Sequence, residues 1–230
     1  MNKGIFITGT DTGVGKTLIA CGIARLLKKW KVRVGVMKPI ATGNRRDARQ
    51  LIQAAGVTDS LEIVNPQFFR APLAPTVAAN LERCEVDLDA VYQAYWTLSK
   101  KYDVMIVEGI GGVKVPIGES TYVLDLIEAL RLPALVVSRA TLGTISHSLL
   151  TLDALERGKV PVVGVLFNGG KGRTLLETTN AEALQDHTAV DILGELTYRA
   201  SYPNDLEGLS RGLARIPRLT KAIRRVCGLS

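Results

Sequence analysis

The sequence predicts an α/β protein of one domain, built on a mostly parallel sheet flanked by helices on both faces. Three observations carry that prediction. Val/Ile-rich apolar runs recur along the 230 residues. They are continuous rather than alternating, which is how strands buried on both faces read. Helical apolar spacing lies between them, and strand alternating with helix implies right-handed crossovers and parallel pairing. Composition agrees, because 47% hydrophobic and 22% charged residues make an ordinary globular mix. The length would allow two small domains, but no repeat, linker or composition break precedes residue 207.

Taken in order, residues 4–8 read as the first strand and 16–30 as the first helix. That helix carries Ile19, Ile23, Leu26, Leu27 and Trp30 near i, i+3, i+4, i+7 spacing. Residues 32–37 form the second strand and 47–55 the second helix, where Asp47 suits an N-cap. Residues 65–79, with Pro66, Pro72 and Pro75, read as a long irregular loop of the kind that is often functional. Helix 88–100, strand 104–107, helix 123–130, strand 134–138, helix 144–157, strand 162–167, helix 175–186 and a short strand at 192–193 complete the body, residues 1–207.

The net charge of +7 is uneven. Residues 208–230 hold Arg211, Arg215, Arg218, Lys221, Arg224 and Arg225 and no acid. They read as a basic helical extension of the same domain. A solvated helix face explains them, and nucleic-acid or membrane contact is the other reading. No apolar run reaches the ~18 residues of a membrane span, and the N-terminus has no secretory h-region. The spacing of Cys21, Cys84 and Cys227 fits neither a disulfide framework nor a zinc site. These features predict a cytoplasmic protein. His147 and His187 are the only histidines, which excludes a histidine-rich metal centre and disfavours a histidine-based triad. His147, at the start of a helix, reads as a packing or capping residue. No G-x-S-x-G elbow is present, and Lys114 stands where Gly109, Gly111 and Gly112 would need a final glycine to bind a dinucleotide.

The strongest local signal is Gly9-Thr10-Asp11-Thr12-Gly13-Val14-Gly15-Lys16-Thr17, between a buried strand and an amphipathic helix. That is the context a P-loop requires. Its backbone N–H groups and the helix N-terminus suit phosphate oxygens. Lys16 would reach the β- and γ-phosphates, and the Thr17 hydroxyl would ligate Mg²⁺. Gly9 lies six positions before Gly15, one more than the usual spacing, so Thr10 takes the first-glycine position.

Ligands of open α/β sheets bind beyond the carboxyl ends of the strands. Three clusters lie there. Lys38-Pro39-Ile40-Ala41-Thr42-Gly43 brings a second lysine to the edge that holds Lys16, which favours a pocket for a phosphate and a second anion. Glu108-Gly109-Ile110-Gly111-Gly112 places an acid after a buried strand, where it is costly unless it meets a metal or a hydroxyl. Asn168-Gly169-Gly170 offers an amide for a purine edge or for a left-handed turn.

As a set, these motifs resemble the dethiobiotin synthetase family of P-loop proteins, together with Leu142-Gly143-Thr144-Ile145 and Leu193-Gly194-Glu195. They occur in the family's order from residue 4 to about 204. The resemblance implies a cytoplasmic homodimer with its substrate site across the dimer interface. It implies conversion of 7,8-diaminononanoate, CO₂ and ATP to dethiobiotin, ADP and phosphate with Mg²⁺, with no nucleic-acid or membrane partner. Matched by position, Gly13, Val14, Gly15, Lys16, Thr17 and Leu18 hold the nucleotide with Glu108, Gly109, Ile110 and Gly111. Thr17, Asp47 and Glu108 hold Mg²⁺. Lys38 and Lys16 are catalytic, and Thr12, Lys38 and Thr42 meet the substrate. Asn168, Gly169, Thr197, Tyr198, Arg199 and Asn204 face the adenine. Thr42 stands where the family often has serine, and Thr197 where proline is common. The main rival on the same fold is a partition- or septum-positioning ATPase, in which Ile216, Leu219, Ile223 and Val226 would form a membrane-surface helix. Such ATPases carry an extra lysine early in the loop, and Thr10-Asp11-Thr12 has none. A cobyrinate-diamide type of synthetase would need a glutaminase domain after residue 230.

Overall fold

The computed structural model describes residues 3–170 and 175–229. The chain runs β1 (Gly4–Gly9), α1 (Lys16–Lys29), β2 (Val34–Met37), β3 (Ile40–Thr42), α2 (Arg46–Ala55), α3 (Leu61–Val64), β4 (Gln67–Phe69), α4 (Pro75–Leu81) and α5 (Leu88–Lys101). It continues through β5 (Val104–Gly112), α6 (Val123–Leu130), β6 (Ala134–Arg139), α7 (Thr144–Arg157), β7 (Val162–Gly170), α8 (Leu175–Gln185), β8 (Ile192–Thr197), α9 (Leu206–Ala214) and α10 (Pro217–Cys227). Six strands form one parallel sheet in the order β2-β5-β1-β6-β7-β8.

The continuous apolar runs follow from two cores. Ile5 and Ile7 of β1 face α1, α2, α9 and α10, while Phe6 faces α5, α6 and α7. Successive side chains of a strand point to opposite faces, so a sheet covered twice needs apolar residues at every position. β1 lies centrally. The chain moves to one side for β2 and to the other for β6, β7 and β8, so the turn after β1 opens at the switch point of the sheet.

Three sequence expectations need correction. Residues 65–79 are ordered: Gln67–Phe69 pairs in parallel with Ile40–Thr42, and Pro75 begins a helix. Proline suits that first turn, where its missing N–H has no partner to lose. Buried Asn65 anchors the segment, its Nδ2 donating to Lys38 O at 2.8 Å and to Gln67 O at 2.9 Å. Second, β5 does not stop at Val107. It runs to Gly112 because Glu108 and Gly112 pair with Ile7 and Gly9 across a register shift. Third, Asp47 is not an N-cap. Arg45 holds that position, and Asn44 Oδ1 accepts the Arg46 N–H at 2.9 Å, which leaves the Asp47 carboxylate for other partners.

The basic tail is packed into the fold. Leu209, Leu213, Leu219 and Ile223 are fully buried in the core that holds α1. Gly22 permits the close approach of α9, because a Cβ there would lie 2.5 Å from Leu213 Cδ1. Ile216 and Val226 join the same core, so the apolar stripe of α10 faces the sheet and not the solvent. Among the described residues, no helix is long and apolar enough to cross a membrane. Cys21, Cys84 and Cys227 are free thiols.

Candidate functional site

The turn between β1 and α1 is a left-handed glycine turn. Gly13 has φ +72° and Gly15, at the N-cap of α1, φ +96°. Side chains strain at such angles. A Cβ on Gly15 would also lie 2.0 Å from Asn168 Nδ2. Thr10 is absent from the positive-φ residues, so the usual first-glycine position tolerates a threonine here.

Two lysines converge on this turn. Lys16, at the start of α1, is buried, and its Nζ donates to Asp11 O at 2.9 Å. Burial, and then the nearby Lys38 charge, pull its pKa down to about 8. Lys38 follows β2 and is 3% exposed. Its Nζ lies 2.7 Å from Glu108 Oε1, 2.9 Å from Asp47 Oδ2 and 3.1 Å from Gly109 O. Burial disfavours the ammonium, but Glu108 and Asp47 outweigh it and hold the Lys38 pKa above its ordinary value.

Glu108 gathers the site. Its Oε1 accepts from Thr17 Oγ1 at 2.7 Å as well as from Lys38. Its Oε2 is buried without a hydrogen-bond partner, which is costly for a carboxylate oxygen. Thr17, Asp47 and Glu108 together present only hard oxygen donors beside the phosphate turn, and with that orphaned oxygen they fit Mg²⁺. No group of three or more His, Cys, Asp or Glu suited to a metal occurs among the described residues, so phosphate and water oxygens would complete the shell.

These groups open into one cavity of about 580 Å³. Thr12, Gly13, Gly15, Lys16, Thr17, Lys38, Thr42, Asp47, Glu108, Ile110 and Gly111 line it, together with Pro72 and Leu73 of the segment before α4 and Pro75 at its start. The other expected residues are divided. Leu18 and Asn204 share a second cavity, of about 560 Å³, with Thr17. Thr197 and Arg199 line a different one of about 330 Å³ at the end of β8, and Tyr198 is exposed. Asn168 turns to the phosphate turn, donating Nδ2 to Val14 O at 2.9 Å, and Gly169 has open space where a Cβ would be. His147 is exposed on α7.

Sequence reasoning missed Arg139. It ends β6, one residue past the expected strand, and its Nη2 donates to Thr12 O at 2.7 Å. The strand-end rule that selected Lys38 and Glu108 applies to it equally, since it directly follows the expected strand 134–138, but no glycine-rich cluster or motif drew attention to it.

Residues 3–204 match a family described as an AAA domain. The chain is 41% identical over 203 residues to the ATP-dependent dethiobiotin synthetase BioD of Endomicrobium trichonymphae, covering 86% of this chain and 94% of that one. It is 40% identical over 213 residues to the protein of the same name from Methanocaldococcus jannaschii, covering 90% and 100%. Among solved structures it resembles the MinD cell division protein of Aquifex aeolicus, with TM-score 0.57, 18% identity and coverage of 99% and 98%. It also resembles a ParA family ATPase from Chlorobium tepidum, with TM-score 0.56, 14% identity and 99% coverage of both chains. At such identity these two structures speak for the fold alone. The curated relatives align along nearly their whole length at identities that fix kinship, and the chain therefore belongs to the ATP-dependent dethiobiotin synthetase family.

Proposed function

We propose that this chain is an ATP-dependent dethiobiotin synthetase, acting as a cytoplasmic homodimer on 7,8-diaminononanoate and CO₂, with Mg²⁺ and without a nucleic-acid or membrane partner. The observation that carries this reading is the single cavity shared by Lys16, Lys38, Thr17 and Glu108.

The chemistry needs no protein nucleophile. One amine of the diamine adds to CO₂ and loses a proton, which gives a carbamate. A carbamate oxygen attacks the γ-phosphorus of ATP and ADP leaves. The second amine then attacks the carbonyl carbon of the mixed anhydride, expels phosphate and closes the ureido ring. The protein must therefore position and neutralise two anions that repel each other. Lys16 and Lys38, which line the same cavity, supply positive charge against the negative charge that develops in the transition state. Mg²⁺, held by Thr17, Asp47 and Glu108, would add neutralisation of the triphosphate. Thr12 and Thr42 offer hydroxyls to the diamine, and Leu73 and Val115 give its alkyl chain an apolar wall. Leu18 and Asn204 support a nucleoside on the other side of Thr17.

A nucleotide-switch ATPase is the reading less supported. Its fold is shared, but the α10 stripe that would serve a membrane is packed on the sheet. The test is incubation with Mg-ATP, bicarbonate and diaminononanoate, with the product identified by mass spectrometry. Dethiobiotin, and phosphate release that depends on the diamine, are expected. Release that ignores the diamine but rises with lipid vesicles would overturn the reading.

A further inference from the structure

The carboxyl end of β6 touches the phosphate turn at two consecutive residues. Ser138 Oγ lies 3.3 Å from Thr10 Oγ1, and Arg139 Nη2 donates to Thr12 O at 2.7 Å. Ser138 is held from behind, with Thr144 Oγ1 at 2.6 Å and Ser148 Oγ donating to it at 3.0 Å. All three hydroxyls are buried. Asn168, the register partner of Arg139 on β7, ties down Val14 O.

The peptide plane gives these contacts a direction. In a trans peptide the C=O of one residue and the N–H of the next are fixed antiparallel. No peptide bond in the described chain is cis. Holding Thr12 O on the strand side therefore aims the Gly13 N–H the opposite way, and holding Val14 O does the same for the Gly15 N–H. Gly13 and Gly15 line the cavity with Lys16. The guanidinium also packs on Gly13, where a Cβ would stand 3.2 Å from Nη2. Arg139 is exposed, so the brace buries no charge.

We propose that Arg139 is a positioning residue of the phosphate site: its guanidinium locks the Thr12–Gly13 peptide so that the Gly13 N–H faces the anionic oxygens of a nucleoside di- or triphosphate. The proposal rests on the turn binding a nucleotide's phosphates, and it is independent of which substrate the phosphoryl group reaches. Preformed donors lose no free energy to reorganisation when the anion arrives.

The test uses ADP and the full chain, so it stands whether or not diaminononanoate is turned over. Arg139→Ala is expected to weaken ADP binding by roughly tenfold, the scale of one weakened charge-assisted hydrogen bond. It should also abolish the ADP-induced shift of the Gly13 amide resonance and leave the melting temperature of the ligand-free chain unchanged. Arg139→Lys, which keeps a donor, should recover part of the affinity. Unchanged ADP affinity overturns the proposal, as does lost affinity with the Gly13 shift intact. Melting temperatures that fall in both variants would mark a general structural brace and overturn it too.

Discussion

Lys38 Nζ stands 2.7 Å from Glu108 Oε1, with both side chains buried, and reaches Asp47 Oδ2 from the same position. The ammonium thus already compensates the two carboxylates that suit a divalent cation. Lys38→Met should slow turnover by roughly 10²–10³, the scale for one positioned electrostatic donor. It should also tighten Mn²⁺ binding to the nucleotide-free chain by at least about tenfold, because two carboxylates lose their internal counter-ion. Paramagnetic resonance of free Mn²⁺ reads this directly. Affinity that stays the same or weakens would show that lysine and metal do not compete.

Glu108→Gln keeps the shape of the side chain that joins Thr17 to Lys38 but removes its charge. Losing a charged ligand interaction is worth about 1.5–3 kcal/mol. The Mg²⁺ concentration for half-maximal phosphate release should rise roughly 10- to 100-fold. A superimposable Mg²⁺ titration would remove Glu108 from the metal site.

Lys16 titrates near 8 in the ligand-free chain, below its ordinary 10.5, because it is buried and faces Lys38. A polyphosphate restores a counter-charge and raises that pKa. Metal-free ADP binding at pH 8 should therefore take up a proton, up to about half an equivalent. Calorimetry in buffers of different ionisation enthalpy measures the uptake. The sign for stability follows from the same depression. Below pH 8 the folded chain carries the full penalty of a charged, buried lysine. That penalty fades as pH rises from 8 toward 10.5, so this group's contribution to stability grows across that window.

Leu213 is fully buried where α9 crosses α1. Leu213→Ala should destabilise the chain by about 2–5 kcal/mol. The neighbouring exposed Arg215→Ala should stay within about 0.5 kcal/mol. Urea denaturation separates the two. Equal, small effects would mean that the tail is not docked in solution.

Much of the site was legible because its chemistry is local. The phosphate turn, Lys38 and Glu108 each sit just beyond or within a buried strand, where residue type and position suffice. Asp47 was harder. As a sequence position it reads as a cap, and only the packing of α2 beside β2 turns its carboxylate to Lys38. The segment 65–79 reads as an irregular, functional loop because three prolines dominate it, yet it is ordered, and Asn65, through hydrogen bonds to Lys38 O and Gln67 O, holds it beside the cavity that Pro72, Leu73 and Pro75 line.

By itself the sequence determined the layered parallel sheet and the phosphate turn, since periodicity and glycine spacing are properties of neighbouring residues. Tertiary structure alone decided three things: the Lys38–Glu108–Asp47 pairing, the division of the strand-end residues among separate cavities, and the inward face of the tail. Each depends on distances between residues far apart in the chain, and those are set by how the helices close over the two faces of the sheet.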